Sequence, residues 1–381
     1  MNNKYSKVLI AVLIICIAIV AGVYIGLRSA GNTENGEVAT GNQTTPKNNQ
    51  FAWGVNTSIY QVDGYVEETA QRQIDIIKKL GVNTVRMTYE RSIELEPFSI
   101  NYYSDKYNDD FVDRLNSADI DIAMIIDGDI IGTAESEIDQ EKEGYKLGQH
   151  VASRYKGKVK YYQIGNEITG TTVKPSDPEF KGETFEGELG LSYSVSRYKS
   201  ALGWLKGMSK AIRESDPDAQ IVVSGHWVLY DVIEKMIDEG LDFDILGWAW
   251  YSEDGLDITK RDHQGQDINL FETLNSFGKK VWVIESNQHR GSYGDGDSAK
   301  GELEQSEFIR NFIDYNYQKK LFIGYFVYTL FDNPAFADKQ DGQDAHWGLV
   351  AVSESATGSP IFTEKKAFGT YQKIISDYLS K

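Results

Sequence analysis

From residue 51 onward, short apolar runs alternate with longer stretches in which apolar residues recur every three or four positions. The runs at 51–56 (FAWGVN), 82–88 (VNTVRMT), 121–127 (DIAMIID), 159–166 (VKYYQIGN), 221–225 (IVVSG), 243–250 (FDILGWAW), 280–285 (KVWVIE) and 324–331 (GYFVYTLF) predict strands. Between the first two, 66–80 (VEETAQRQIDIIKKL) sets Ala70, Ile74, Ile77 and Leu80 on one helical face, and Gly81 supplies the stop. The stretches 107–118, 138–155, 192–214, 228–238, 302–318 and 364–379 follow the same period, whereas between 251 and 279 only 269–277 does. Strands alternating with helices predict a parallel sheet wrapped by helices, and eight such units suit a (β/α)8 TIM barrel with some long loops. A doubly wound open sheet is the alternative. It would call for a glycine-rich turn after the first strand, which 54–64 (GVNTSIYQVDG) lacks.

The N-terminus follows a different pattern. Val8 to Leu27 (VLIAVLIICIAIVAGVYIGL) contains no charge and, as a helix, is long enough to span a bilayer. Lys4 and Lys7 precede it, so the positive-inside rule puts the short tail in the cytoplasm and the rest outside. Residues 1–28 are therefore expected to form a tail and a signal-anchor transmembrane helix, with the chain held single-pass in the cell membrane. Cleavage and secretion are the alternative, but Arg28 spoils the site at Ser29-Ala30, and Ile15 before Cys16 does not fit a lipoprotein signal. Residues 29–50 are almost devoid of apolar side chains and read as a flexible polar linker, leaving 51–381 as the folded domain.

Charge and composition narrow the chemistry. With 57 acidic against 39 basic residues, the net charge of −18 excludes a nucleic-acid backbone as partner and disfavours electrostatic adhesion to an anionic membrane. The single cysteine permits no intrachain disulfide. No HxH, HExxH or paired cysteines, no Gly-x-Ser-x-Gly elbow and no phosphate loop occur, so neither a metal nor a cofactor is expected.

In a barrel, chemistry collects where strands finish. The fourth predicted strand ends in IGNE (Ile164 to Glu167) and the seventh in WVIES (Trp282 to Ser286), so Glu167 and Glu285 both follow apolar strand residues at the rim. Either glutamate alone could simply bind a helix N-terminus or a lysine. Together they match glycosidic bond cleavage, in which one carboxyl protonates the leaving oxygen and the other attacks the anomeric carbon. An Asn-Glu pair closing strand four and a Glu closing strand seven resemble the clan of retaining glycoside hydrolases built on Glu/Glu (β/α)8 barrels. The resemblance spans roughly 51–381, and HWGLV at 346–350 adds to a likeness with the xylosidase-, galactanase- and cellulase-like branches.

The resemblance implies roles. Glu167 would be the acid/base and Glu285 the nucleophile, with the two carboxyls ~5–5.5 Å apart. Asn166 would bind the sugar 2-hydroxyl, Arg86 would keep the nucleophile ionised, and Tyr251 would donate a hydrogen bond to it. Two departures stand out: Ala249 and Trp250 occupy a strand-six motif where many relatives carry histidine, and Tyr328 and Phe331 stand where several families have a tryptophan under the sugar.

His226, ending strand five, is a candidate for touching substrate or supporting the site. Sugar faces stack on aromatic rings, and Trp53, Trp227, Trp248, Trp250 and Trp347 fall near predicted strand ends, whereas Trp204 and Trp282 read as core. Trp53, Trp250 and Tyr328 join the expected substrate-binding set. The long segments 167–191 and 332–348 are expected to build walls of the site. The expected activity is retaining β-glycoside hydrolysis, endo-acting on an extracellular or cell-surface polysaccharide or its oligosaccharides. A carbohydrate-binding pseudoenzyme and a transglycosylase that remodels surface glycan are the alternatives.

Overall fold

The computed structural model describes residues 51–58, 67–89, 102–127, 136–177, 179–293, 298–334, 345–354 and 360–380. The apolar run 8–27 and the linker 29–50 lie outside the described residues. Among the described residues, no helix is long and apolar enough to cross a membrane.

Eight parallel strands close into a barrel among the described residues. They are β1 (Ala52–Thr57), β2 (Thr84–Thr88), β3 (Asp121–Ile126), β4 (Tyr161–Ile164), β5 (Gln220–Gly225), β6 (Ile245–Tyr251), β7 (Lys280–Asn287) and β8 (Gly324–Val327). Each neighbours the next in chain order, and β8 returns to β1 with Ala52 opposite Gly324 and Val55 opposite Val327. The outer layer comprises α1 (Glu67–Leu80), α2 (Tyr102–Ser117), α3 (Glu137–Arg154), α4 (Val195–Ser215), α5 (Tyr230–Asp238), α6 (Leu270–Ser276), α7 (Ser298–Asn316) and α8 (Lys366–Leu379). The open sheet is thereby ruled out.

Both faces of each strand are buried, which is why the strands read as continuous apolar runs rather than alternating ones. Ala52, Ala123, Tyr161, Val222, Ile245, Trp282, Ile284 and Phe326 fill the barrel interior. Val55, Val85, Met124, Tyr162, Ile164 and Val283 point outward into the helix-lined core. Gly54 is what lets Phe326 lie inside: a Cβ there would meet the ring at 2.1 Å.

Three excursions follow even-numbered strands. After β4 come a short helix, Ile168–Thr172, and a hairpin pairing Thr184–Glu186 with Ser192–Ser194. After β6 come the turn Ser252–Asp254 and a hairpin of Arg261–His263 with Gln266–Ile268. After β8 a hairpin pairs Val350–Glu354 with Pro360–Glu364. Two predicted strands prove shorter than their apolar runs. β4 stops at Ile164 because Gly165 and Glu167 take left-handed backbone angles (φ 73° and 46°), which lead the chain out of the sheet. β8 stops at Val327, before a cis peptide between Tyr328 and Thr329.

Candidate active site

The seventh strand carries an irregularity that decides where Glu285 points. Against β6, Val283 pairs with Trp248 and the next paired residue is Glu285, opposite Ala249. One residue, Ile284, is extra. Trp282 and Ile284 face the barrel interior, so strict alternation would turn Glu285 outward. The bulge restores it to the inner face, a use of bulges common beside active sites.

There Glu285 is 7% exposed, and both carboxylate oxygens accept hydrogen bonds. Oε1 accepts from Arg86 Nη1 at 2.6 Å and Oε2 from the Tyr251 hydroxyl at 3.0 Å. Burial and the Glu285 charge push the Tyr251 phenol well above its ordinary pKa, so it stays protonated and donating. Arg86, from β2, is itself buried and is the hub of the floor. Its Nε donates to Gln163 Oε1 at 2.7 Å, its Nη1 also to Asn56 Oδ1 at 2.5 Å, and its Nη2 to Asn166 Oδ1 at 2.6 Å. Asn56 and Gln163 are fixed in turn. The Asn56 amide donates to the carbonyls of Ile284 and Val327, and Gln163 Nε2 donates to Gly165 O, Asn166 Oδ1 and Ser224 Oγ. Because Asn166 accepts twice through Oδ1, its Nδ2 hydrogens are left for the cavity.

Glu167 is placed differently. It precedes the short helix Ile168–Thr172 in a left-handed conformation, and its backbone N–H donates to Ser224 Oγ at 2.9 Å. Its side chain is half-buried and, among the described residues, makes no hydrogen bond to another side chain. Desolvation first, then the Glu285 charge, raise its pKa from 4.5 to about 7, with Arg86 opposing. His226, at the end of β5, brings Nδ1 to 3.9 Å from Glu167 Oε2. Burial lowers its pKa, so the ring stands neutral beside a carboxyl that holds its proton near neutrality. The helix can approach this closely because Gly170 faces the ring: a Cβ there would lie 2.6 Å from His226 Cε1.

The two glutamates share a cavity of about 600 Å³, lined also by Asn56, Thr57, Arg86, Asn166, Tyr251, Glu253, His289, Tyr328 and Trp347. Arg86, Asn166, Glu167, Tyr251, Glu285 and Tyr328 thus converge, and His226 stands immediately behind Glu167. Trp53 and Trp250 do not join them. Trp53 is 1% exposed and stacks on Tyr317 at 5.8 Å, outside the barrel wall. Trp250 is fully buried, its Nε1 bonded to Gly255 O and its ring edge-on to Phe271. The physical reason is strand alternation. Asn56 and Tyr251 face inward, so Trp53, three residues before Asn56, and Trp250, next to Tyr251, face outward.

Sequence reasoning missed the supports. Asn56, Gln163 and Ser224 are polar residues inside otherwise apolar strand runs, and that was the available signal. Another is Lys365, whose buried ammonium donates to Asp332 Oδ1 (2.6 Å), Ser292 Oγ (2.7 Å) and His346 O (3.1 Å). Asp332 also accepts from Gly348 N, so the pair brackets Trp347. Trp347 in turn bonds His289 O through Nε1 and lies 5.2 Å from Tyr328 and 5.9 Å from Tyr251 between ring centres. No group of three or more potential metal-ligating residues that could hold an ion occurs among the described residues.

No family model and no curated protein matches the chain in sequence. Solved structures do match in fold. The family 1 β-glucosidase from Thermotoga maritima superposes with a TM-score of 0.59 at 14% identity, covering 86% of this chain and 97% of that one. The β-glucosidase from the same organism in complex with cyclophellitol gives 0.60 at 14% identity, covering 86% and 98%. The chain therefore has the (β/α)8 barrel seen in these glycoside hydrolases, which is the fold that the resemblance implies.

Proposed function

We propose that this protein is a retaining β-glycoside hydrolase acting by double displacement. The observation that carries the reading is the unequal treatment of two carboxyls in one cavity. Glu285 is clamped on both oxygens by Arg86 and Tyr251, as suits a nucleophile that must present one fixed carboxylate. Glu167, unclamped and raised to about 7, holds a proton at neutral pH. Glu167 protonates the leaving oxygen while Glu285 attacks the anomeric carbon. The glycosyl-enzyme is then opened by water that the ionised Glu167 deprotonates, so the starting anomeric configuration is restored. Asn166 Nδ2 faces the 2-hydroxyl of the bound sugar. His226, neutral, lets Glu167 cycle without competing for its proton.

The reading extends to an endo-acting enzyme on a surface polysaccharide. Three long excursions flank the barrel mouth, and Trp227, next to His226, is 39% exposed, which suits contact with sugars beyond the cleaved bond. Val8 to Leu27 as an uncleaved anchor, with 29–50 as linker, would hold the barrel outside the membrane within reach of a polymer too large to import.

The test is a panel of aryl β-glycosides, β-glucans, xylan, mannan, galactan and bacterial exopolysaccharide, with reducing ends counted beside a Glu285→Ala control. Product anomers are read by NMR at early times. Cleavage abolished in the control, with retained configuration, supports the proposal. Cleavage that survives Glu285→Ala, or inverted product, overturns it. An aryl β-glucoside belongs in the panel because the proteins of similar fold are β-glucosidases.

A further inference from the structure

Five residues other than glycine take a left-handed backbone among the described residues: Asp119, Glu167, Trp227, Gln264 and Lys320. Asp119 and Lys320 lie in the returns from helix to strand, before β3 and β8, and Gln264 lies in the tip of the hairpin after β6. Only Glu167 and Trp227 follow barrel strands at the mouth, where the chemistry sits. Glu167 is the acid. Trp227, at φ 53°, is a bulky side chain in a conformation that glycine adopts at far lower cost.

The same residue forgoes burial. Of the seven tryptophans, Trp227 alone is more than a third exposed, at 39%. Val228 and Leu229 after it are buried, so the chain enters the core there without its largest side chain. The turn is nevertheless held from two sides. Trp227 O accepts from Nε1 of the fully buried Trp248 at 2.9 Å, and the indole meets the ring of buried His263 edge to face, 5.3 Å between centres. A strained backbone and an exposed aromatic ring are each unfavourable for folding, and here both persist at one residue.

The position gives the ring a use. His226 brings Nδ1 to 3.9 Å from Glu167 Oε2, and Trp227 is the next residue, outside the cavity that the two glutamates share. The hairpin that carries His263 also carries Arg261, which interacts electrostatically with Glu253 on the cavity wall. Trp227 therefore stands at the rim between the ends of β4 and β6, beyond the acid. Glu167 gives its proton to the departing oxygen, so whatever is bonded to that oxygen lies on this side. The sugar attached to Glu285 lies on the other, where Arg86, Asn166 and Tyr251 converge. A pyranose presents a C–H face that stacks on an indole.

We infer that Trp227 is the plate of a leaving-group subsite. It stacks the pyranose ring on the reducing side of the cleaved bond, so the substrate class is a glycan whose leaving group is itself a sugar. This assignment rests on the glycosidase reading above and adds the departing half of the substrate. Trp227 is a binding residue remote from the reacting atoms, and its contribution falls on sugar leaving groups alone.

The full chain is assayed on β-linked tetraoses of glucose, xylose and galactose and on the β-fluorides of the same sugars, whose leaving group is too small to touch the ring. Trp227→Ala and Trp227→Gly should each lower the ratio of tetraose to fluoride kcat/KM by about tenfold, and Trp227→Phe, which keeps a ring, by about threefold or less. Trp227→Gly relieves the left-handed strain, so it should melt no lower than Trp227→Ala. The alkaline limb of the tetraose profile should stay at about pH 7 in all three, because a ring that acted through Glu167 would move it. A ratio within about twofold of the parent in both Trp227→Ala and Trp227→Gly, or a limb that shifts as the ratio falls, overturns the inference. Fluoride hydrolysis by the unsubstituted chain, abolished by Glu285→Ala, separates the two claims. If it occurs while no tetraose is cut, the subsite inference fails alone; if no fluoride and no tetraose is cut, the glycosidase reading fails with it.

Discussion

The two walls of the cavity hold the same side chain in opposite ways. On the β7 wall, Glu285 is buried, bonded on both oxygens and braced through Arg86 to β1, β2 and β4. On the β4 wall, Glu167 leaves the sheet in a left-handed turn and keeps its carboxylate unbonded. The contrast teaches how one fold obtains two chemistries from one residue type. A fixed carboxylate comes from cationic and phenolic donors, and an acid that holds its proton near neutrality comes from desolvation beside another negative charge.

The largest effect should come from breaking the fixed wall. Glu285→Ala is expected to lower kcat by about 10⁴-fold or more on any substrate the enzyme cleaves. Arg86→Met should follow, at about 10²–10³-fold, because it strips Glu285 Oε1 and unlinks Asn56, Gln163 and Asn166 together. It should also cost about 3–5 kcal/mol of stability, since a buried carboxylate loses its partner. Chemical denaturation measures that loss. A variant as stable and active as the parent would remove Arg86 from the hub assigned to it.

The second wall predicts a pH signature. Glu167 must be protonated for the first step, so kcat/KM should fall as pH rises through about 7, and Glu167→Gln should abolish that limb. The variant should be slowed about 10²–10⁴-fold on poor leaving groups and far less for glycosylation on activated aryl glycosides. Stability gives the sign independently. Because the folded pKa is raised above 4.5, the favourable contribution is present below 4.5 and is lost as pH rises through about 7. Glu167→Gln should therefore gain melting temperature relative to the parent at alkaline pH and lose that gain below pH 4.5. A flat difference across this window would contradict the environment described for Glu167.

A smaller effect is expected from the strut behind Trp347. Lys365→Met leaves Asp332 buried without its ammonium, which should destabilise the fold by about 3–5 kcal/mol. Its effect on the site should be indirect. KM should rise several-fold with kcat within about threefold, and the near-ultraviolet signal of Trp347 should change. Lys365→Arg restores charge but not the compact three-way geometry, so partial rescue is expected. Unchanged KM in a folded Lys365→Met would make the strut purely structural.

What the sequence disclosed follows from what period and strand ends encode. The barrel was legible because eight apolar runs alternated with eight amphipathic stretches, and both glutamates because apolar runs ended at them. Arg86, Asn166 and Tyr251 came through resemblance to a family; Tyr251 ends β6 and Asn166 lies just past β4, whereas Arg86 sits in the middle of β2. The bulge at Ile284 was not legible, since nothing in WVIES marks an extra residue, and without it Glu285 would face the helices. The bracing by Lys365 was hidden because its acceptors come from two separate loops, Ser292 after β7 and Asp332 and His346 after β8. The loop after strand eight read only as an acidic wall.

The misplaced tryptophans give the last and smallest prediction. Adjacent strand residues cannot face the same cavity without a bulge, so choosing Tyr251 should already have excluded Trp250, and by the same alternation the inward Asn56, three residues on, turns Trp53 outward. Trp347, on a loop, obeys no such alternation and is the ring that reaches the site. Trp53→Phe and Trp250→Phe should therefore lower stability by about 1–3 kcal/mol through lost packing and, at Trp250, an unpaired Gly255 carbonyl. Neither should move KM by more than about twofold, whereas Trp347→Phe should raise KM at a smaller cost in stability. A KM effect at Trp53 exceeding that at Trp347 would mean that the inward and outward faces of β1 have been exchanged.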